Sequence, residues 1–303
     1  MKILIRIAAT SILFVVLFPM LSQALVASKL PVRSQARSVP HLSSPQEEVM
    51  VWASRSGCQE VVKTGGRMAI AKDDELRVAT WNIRRFPDGQ LNRAQKSNSG
   101  TDRSWLACSI VWMNIDVLAV QENLSKSRWT EVRGLLEGMT GISWRWMSQQ
   151  CGNLTNGFLW NTKRVKVQQI KSLKAFNIRA QQSDSPCAGG LRPGFYAYVQ
   201  SLQEPGADFH LINLHLKSGP TVSALEERQK ALNRIDKAVK PFLLQDKDIV
   251  ILGDLNTMGA GDKASRKSEL KYMRRMVSKE KPGFQDLPIT PRCTHYFLSL
   301  IHI

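Results

Sequence analysis

The stretch DIVILGDLN (248–256) decides how the chain reads. Residues 249 to 252 are consecutively apolar and mostly β-branched, without the alternation of a half-exposed strand. They predict a strand buried on both faces. The run then stops at Gly253 and turns polar at Asp254 and Asn256. If the strand continues to both, their side chains share one face. The same shape recurs three times: an apolar strand over 76–83 carries Asn82 near its end, a run over 116–121 is followed by Glu122, and one over 209–214 by His215. Polar strand ends are expected wherever a strand meets water. Here they are two acids, two amides and one imidazole, with no lysine. That oxygen-rich set suits Mg²⁺ or Mn²⁺ and not zinc, which takes more His or Cys.

Around these strands the pattern alternates. Period-3.6 apolar spacing predicts helices over 102–113 (Leu106, Ile110, Met113) and 127–139 (Trp129, Val132, Leu136, Met139). The longest predicted helix spans 223–244, with Leu225, Leu232, Ile235, Val239 and Phe242 on its buried face. Strands over 156–161 and 165–170 read as a hairpin around Thr162-Lys163; those over 194–200 and 209–214 are joined through Glu204-Pro205-Gly206. A short helix fits 47–58. Trp81, Trp105, Trp129 and Trp160 fall on apolar faces and are expected in the core rather than stacked on bases. Hairpins mixed with helices indicate an α+β, mixed-sheet architecture.

Six strings in order, TWNI (80–83), QEN (121–123), GFLWN (157–161), RPGFYAYV (192–199), LHLKSG (214–219) and GDLN (253–256), resemble the endonuclease/exonuclease/phosphatase superfamily. DNase I and the AP endonucleases are familiar members. The resemblance covers about 76–256. It implies a four-layer α/β/β/α sandwich of two mixed β-sheets. It also implies roles: Glu122 as principal metal ligand, Asn82 as the amide that positions it or reaches the metal through water, and His215 on the scissile phosphate. Asp254 and Asn256 would orient water and bind phosphate, and Arg192 would contact phosphate. Two C-terminal signatures of the family, a late Asp and a Ser-Asp-His, have no counterpart. After Asn256 the histidines are His295 and His302, neither preceded by Asp. The expectation is therefore an incomplete domain over 76–296 with its last strands missing, a foreign tail over 297–303, an open inner sheet edge and impaired turnover.

The chain has 303 residues, 42 Lys plus Arg and 25 Asp plus Glu, for a net charge of +17. This balance calls for an anionic partner. Eight cationic residues against three acids fall within 262–281, where Leu270, Met273 and Val277 supply a thin apolar stripe. Lys271, Arg274 and Arg275 on this segment, with Arg84 and Arg85 beside Asn82, are candidate phosphate-backbone contacts. Lys163, Arg164 and Lys166 at the expected hairpin tip extend that set. Residues 1–24 read as a secretory signal with cleavage after Ala24, an uncleaved anchor being the alternative. A linker and N-terminal extension occupies 25–75. Export to the periplasm or medium permits disulfides, and Cys151–Cys187 is the candidate pair among five cysteines. No GxSxG or GxxxxGK[ST] motif is present.

The expectation is an exported, Mg²⁺-dependent phosphodiesterase, foremost a monomeric nuclease of low sequence specificity without stable membrane association. The alternatives are a sphingomyelinase-like phospholipid phosphodiesterase and a non-catalytic nucleic-acid-binding protein.

Overall fold

The computed structural model describes residues 39–70, 75–89, 100–203, 206–261 and 263–279. It also describes short strands at Ile3–Ile5, Val15–Val16, Leu91–Asn92, Ser97–Asn98 and Phe284–Asp286. The signal-peptide reading, apart from two of these strands, lies outside the described residues. So do residues 25–38 of the linker, residues 204–205 of the expected turn, Cys293 and the 297–303 tail.

In chain order the main elements begin with α1 (Pro45–Ala53) and α2 (Arg55–Lys63). Then come β1 (Arg77–Phe86), α3 (Arg103–Met113), β2 (Val117–Asn123), α4 (Lys126–Thr140), β3 (Trp144–Ser148), β4 (Thr155–Asn161), β5 (Val165–Leu173), β6 (Gly194–Ser201) and β7 (Asp208–His215). The last are α5 (Val222–Leu232), α6 (Ile235–Val239), β8 (Ile249–Asp254) and α7 (Arg266–Lys279).

One sheet runs Val15–Val16, β1, β2, β4, β3. The other runs β5, β6, β7, β8, Ile3–Ile5, Phe284–Asp286. The period of two sorts every strand between layers. Val78, Val117, Ala119, Phe158 and Trp160 of the first sheet meet Phe195, Ala197, Val199, Phe209, Leu211, Val250 and Leu252 of the second in a core between the sheets. Their neighbours Ala79, Leu118, Val120 and Leu159 point outward onto α1 to α4. Tyr196, Ile212, Leu214, Ile249 and Ile251 point onto α5, α6 and α7. Both sheets are covered on both faces, which makes a four-layer α/β/β/α sandwich.

Three expectations are corrected. The 156–161 and 165–170 strands do not form a hairpin: β4 pairs with β2 and β3, whereas β5 pairs with β6. The Thr162-Lys163 turn carries the chain from one sheet to the other. The 223–244 helix is broken. α5 ends at Asn233, whose N–H returns to Gln229 O and Ala231 O, and Arg234 leaves helical geometry before α6 begins. The 47–58 helix is two helices hinged at Ser54. This residue closes α1 through its N–H on Met50 O and caps α2 by accepting from Gly57 N. α1 and α2 bury Val51, Cys58 and Val61 in the outer core, and a Cys58–Cys108 disulfide joins α2 to α3. Beside β8, Ile3–Ile5 pairs in parallel, a strand drawn from the segment that reads as a signal.

Candidate active site

The polar residues lie at the C-terminal ends of two parallel strand pairs. β1 and β2 run in parallel with Asn82 opposite Gln121, one residue from Glu122. β7 and β8 run in parallel with His215 opposite Asp254. Because the two sheets are stacked, four strand ends deliver their side chains to one place.

The close approach of β7 and β8 there requires Gly253. At its φ of 132° a Cβ would fall 1.9 Å from Leu214 O. On β1, four residues advance against two of β2 between Asn82 and Phe86, so residues 83–85 bulge. Arg84 and Arg85 take left-handed φ values of 46° and 53°, Glu122 takes 62° and Asn256 takes 49°. Non-glycine residues held there carry strain of roughly 1 kcal/mol or more each, which concentrates at functional sites.

The bulge aims donors at the site. Arg84 N–H donates to Asn82 Oδ1 at 2.9 Å, and Arg85 N–H donates to Glu122 Oε2 at 3.1 Å. Asn82 Nδ2 donates to Glu122 Oε1 at 2.9 Å and to Asp254 Oδ2 at 2.7 Å. One amide thus bridges carboxylates from opposite sheets. His215 Nε2 lies 4.0 Å from Glu122 Oε1 and 3.9 Å from Asp254 Oδ2. Ligand atoms of Glu122, His215 and Asp254 all fall within 4.8 Å of one another.

Burial pushes the Asp254 carboxyl above its ordinary range, against the hydrogen bonds from Asn82 and Asn256 that favour the ionised form; the Glu122 charge adds to the rise. Burial likewise pushes the His215 imidazole well below its ordinary value, and the Arg192 charge adds to that. His215 is therefore neutral at pH 7, and its buried Nδ1 has no hydrogen-bond partner among the described residues. Arg192 Nε donates to Leu154 O at 2.7 Å, and its guanidinium lies within electrostatic reach of Glu122 and Asp254.

Glu122, partly buried, and Asp254 and His215, both buried, bring two carboxylates and a neutral imidazole within 4.8 Å of one another, a set that fits a hard divalent cation. Glu122 and Asp254 would hold it, with Asn82 orienting both.

The structure brings Asn82, Glu122, Arg192, His215 and Asp254 together. Asn256 does not share a face with Asp254. The strand ends at Asp254, Asn256 N–H turns back onto Asp254 Oδ1 at 2.9 Å, and Asn256 Nδ2 donates to Leu216 O. An aspartate at a strand end closes such a turn on its own backbone, which ends the alternation. Arg85 is exposed next to Glu122 and Arg84 is half-buried. Lys271, Arg274 and Arg275 are exposed along α7 and are not among the residues brought together here. Arg164 is corrected. Its guanidinium binds Asp116 Oδ1 and Glu75 O at the starts of β2 and β1, the end of the sheet opposite Asn82 and Glu122.

The candidate disulfide forms, Cys151 to Cys187. It joins the loop that holds Leu154 O to the loop that leads into Arg192. Sequence reading missed the donors on the 83–85 bulge, because backbone N–H groups leave no residue-type signal.

No family model matches the chain, and no curated protein matches it. Among solved structures, a Bacteroides thetaiotaomicron endonuclease/exonuclease/phosphatase family protein is 16% identical with a TM-score of 0.44, over 60% of this chain and 63% of that one. A mannosyl-6-phosphatase of the same species is 15% identical with a TM-score of 0.44, over 60% of this chain and 65% of that one. TDP2 of D. rerio, complexed with single-strand DNA product, is 18% identical with a TM-score of 0.39, over 60% of each chain. The chain spans less than two thirds of the length of these structures.

Proposed function

We propose that this chain is a divalent-metal-dependent phosphoesterase of the endonuclease/exonuclease/phosphatase superfamily, exported, and directed at nucleic-acid phosphodiesters. The observation that carries the reading is the convergence of Glu122, Asp254 and His215, from both sheets, around one point beside Arg192.

When bound, Mg²⁺ or Mn²⁺ supplies Lewis-acid polarisation of a phosphoryl oxygen and a lowered pKa for attacking water. The chain's own residues do the rest. Asn82 holds Glu122 and Asp254 in register through one amide group. Arg192 keeps a positive charge against the buried carboxylates and is placed to pair with a phosphate oxygen. His215, neutral, offers a ring nitrogen to that phosphate without adding charge. The basic residues Arg84, Arg85, Lys271, Arg274 and Arg275 favour a polyanionic substrate tracked by its backbone. Of the possible phosphoesters, nucleic acid fits that distribution of charge.

The test is turnover of plasmid DNA, RNA and bis(4-nitrophenyl) phosphate in Mg²⁺ and in EDTA, for the chain and for Glu122→Gln. Cleavage should require the metal and fall by at least about 10²-fold in the variant, with DNA affinity little changed. Undiminished turnover in Glu122→Gln would overturn the metal assignment. Cleavage of sphingomyelin in preference to nucleic acid would overturn the substrate.

A further inference from the structure

Arg228 lies on α5, outside the set of residues that the sequence strings pick out, and it is fully buried. A buried guanidinium is costly unless every donor is matched. Here each of the five N–H groups has an acceptor. Nε and one Nη2 hydrogen fork onto Glu269 Oε1 and Oε2 of α7. The other Nη2 hydrogen goes to Gly259 O at 3.0 Å. Nη1 donates to Lys217 O at 3.0 Å and Gly219 O at 2.9 Å. Glu269 Oε2 in turn accepts from Gly259 N–H at 2.6 Å.

The acceptors are not scattered. Lys217 and Gly219 lie two and four residues beyond His215, and Gly259 lies five residues beyond Asp254. The two loops are also tied to each other. Leu216 N–H donates to Asp254 O at 2.9 Å, Asn256 Nδ2 to Leu216 O, and Gly219 N–H to Met258 Sδ at 3.2 Å. One buried ion pair therefore grips both segments on which the second sheet's share of the site depends.

We propose that Arg228 and Glu269 are positioning residues that hold the loops after His215 and Asp254 in the spacing at which Asp254 and Glu122 take a divalent cation with His215 beside them. This rests on the reading of Glu122 and Asp254, beside His215, as a cation site. Neither residue touches that site. Arginine is needed because a planar fork can bind a carboxylate with one edge and three carbonyls with the others.

The variants are Glu269→Gln and the paired Arg228→Met/Glu269→Met. The second removes both charges at similar volume, so that no lone charge is left buried. Mn²⁺ binding is measured from the free-Mn²⁺ electron paramagnetic resonance signal, with Glu122→Gln as the site-dead control. Amide hydrogen exchange is read at Leu216, Gly219 and Gly259, and at β2 as the internal reference.

The expected result is unchanged exchange in β2, faster exchange at the three loop amides and Mn²⁺ affinity weakened about 10-fold. On bis(4-nitrophenyl) phosphate, kcat should fall about 10²-fold with KM held, as for a displaced catalytic group. If the paired variant keeps wild-type Mn²⁺ affinity and wild-type exchange at those amides, the proposal is wrong. If the unaltered chain binds no Mn²⁺, the cation-site reading fails. The positioning proposal, which rests on it, then falls too, and the exchange data report only whether the pair grips the loops.

Discussion

Asn82 is the residue on which two carboxylates from different sheets meet. Its Nδ2 donates to both Glu122 and Asp254, and its Oδ1 is fixed by Arg84 N–H. Asn82→Ala removes the donor and leaves two facing carboxylates unbridged. Outer partners of metal ligands typically govern affinity by roughly 10–100-fold, and a loss of that size is expected for Mn²⁺, read by calorimetry. Unchanged affinity would make the bridge structural only. His210 gives a second residue-scale prediction. Its Nδ1 meets the Tyr196 hydroxyl at 2.9 Å and its Nε2 meets Phe242 O at 3.1 Å. The carbonyl can only accept, so Nε2 carries the proton and Nδ1 accepts from Tyr196. Burial pushes this imidazole below 6.5. The unfolded chain therefore protonates first, and the stability present above about pH 6.5 is lost as pH falls toward the folded value. Thermal melts should show a falling Tm from pH 7.5 to pH 5, and His210→Gln should flatten that slope. A slope unchanged by the substitution would assign it elsewhere. At this scale Glu122, His215 and Asp254 were legible because a charged or polar residue ending an apolar strand has few reasons to be there. The donors on the 83–85 bulge were not legible, since a bulge is a property of pairing between two strands.

Among the elements, β5 and α7 show the limits of periodicity. The sequence pattern identified both 156–161 and 165–170 as strands, but it says which residues share a face and not which neighbour each strand takes. A short polar turn serves a hairpin and a crossing between sheets equally well. Here Arg164 is bound to Asp116 and Glu75 O instead of lying free at a hairpin tip. The break between α5 and α6 went unseen for a related reason: the apolar stripe continues through Asn233 and Arg234, and neither Gly nor Pro marks the interruption. For α7 the stripe was real. Met273 is buried and Leu270 packs against the same cluster, which leaves Lys271, Arg274 and Arg275 on exposed faces. Neutralising those three together should weaken DNA binding. It should reduce the slope of log affinity against log salt by about one unit per lost phosphate contact. An unchanged slope would return α7 to a solvated helix without a nucleic-acid role.

For the whole molecule, the four layers are held partly by covalent ties that span long stretches of chain. Cys58–Cys108 closes a separation of 50 residues and anchors α1 and α2 to α3. A loop of that length corresponds to about 4 kcal/mol of unfolded-state constraint in the chain-entropy account. Replacing both cysteines by serine should lower the unfolding free energy by up to about that amount, measured by urea denaturation. A loss near zero would mean that the helices dock by packing alone.

The amino-acid sequence by itself determined most of the strands and helices, though not the strand Trp144–Ser148 or the breaks at Ser54 and Asn233, together with the two-faced burial of the central strands and the candidate site residues. These follow from local periodicity and from polar residues stranded at apolar ends. Only the tertiary structure decided that β4 and β5 belong to different sheets, that Cys58 meets Cys108, and that the Asn82 amide bridges the carboxylates of Glu122 and Asp254 from opposite sheets. Such contacts depend on how strands pair and how sheets stack. Each is a choice among partners that a single strand's own residues do not distinguish.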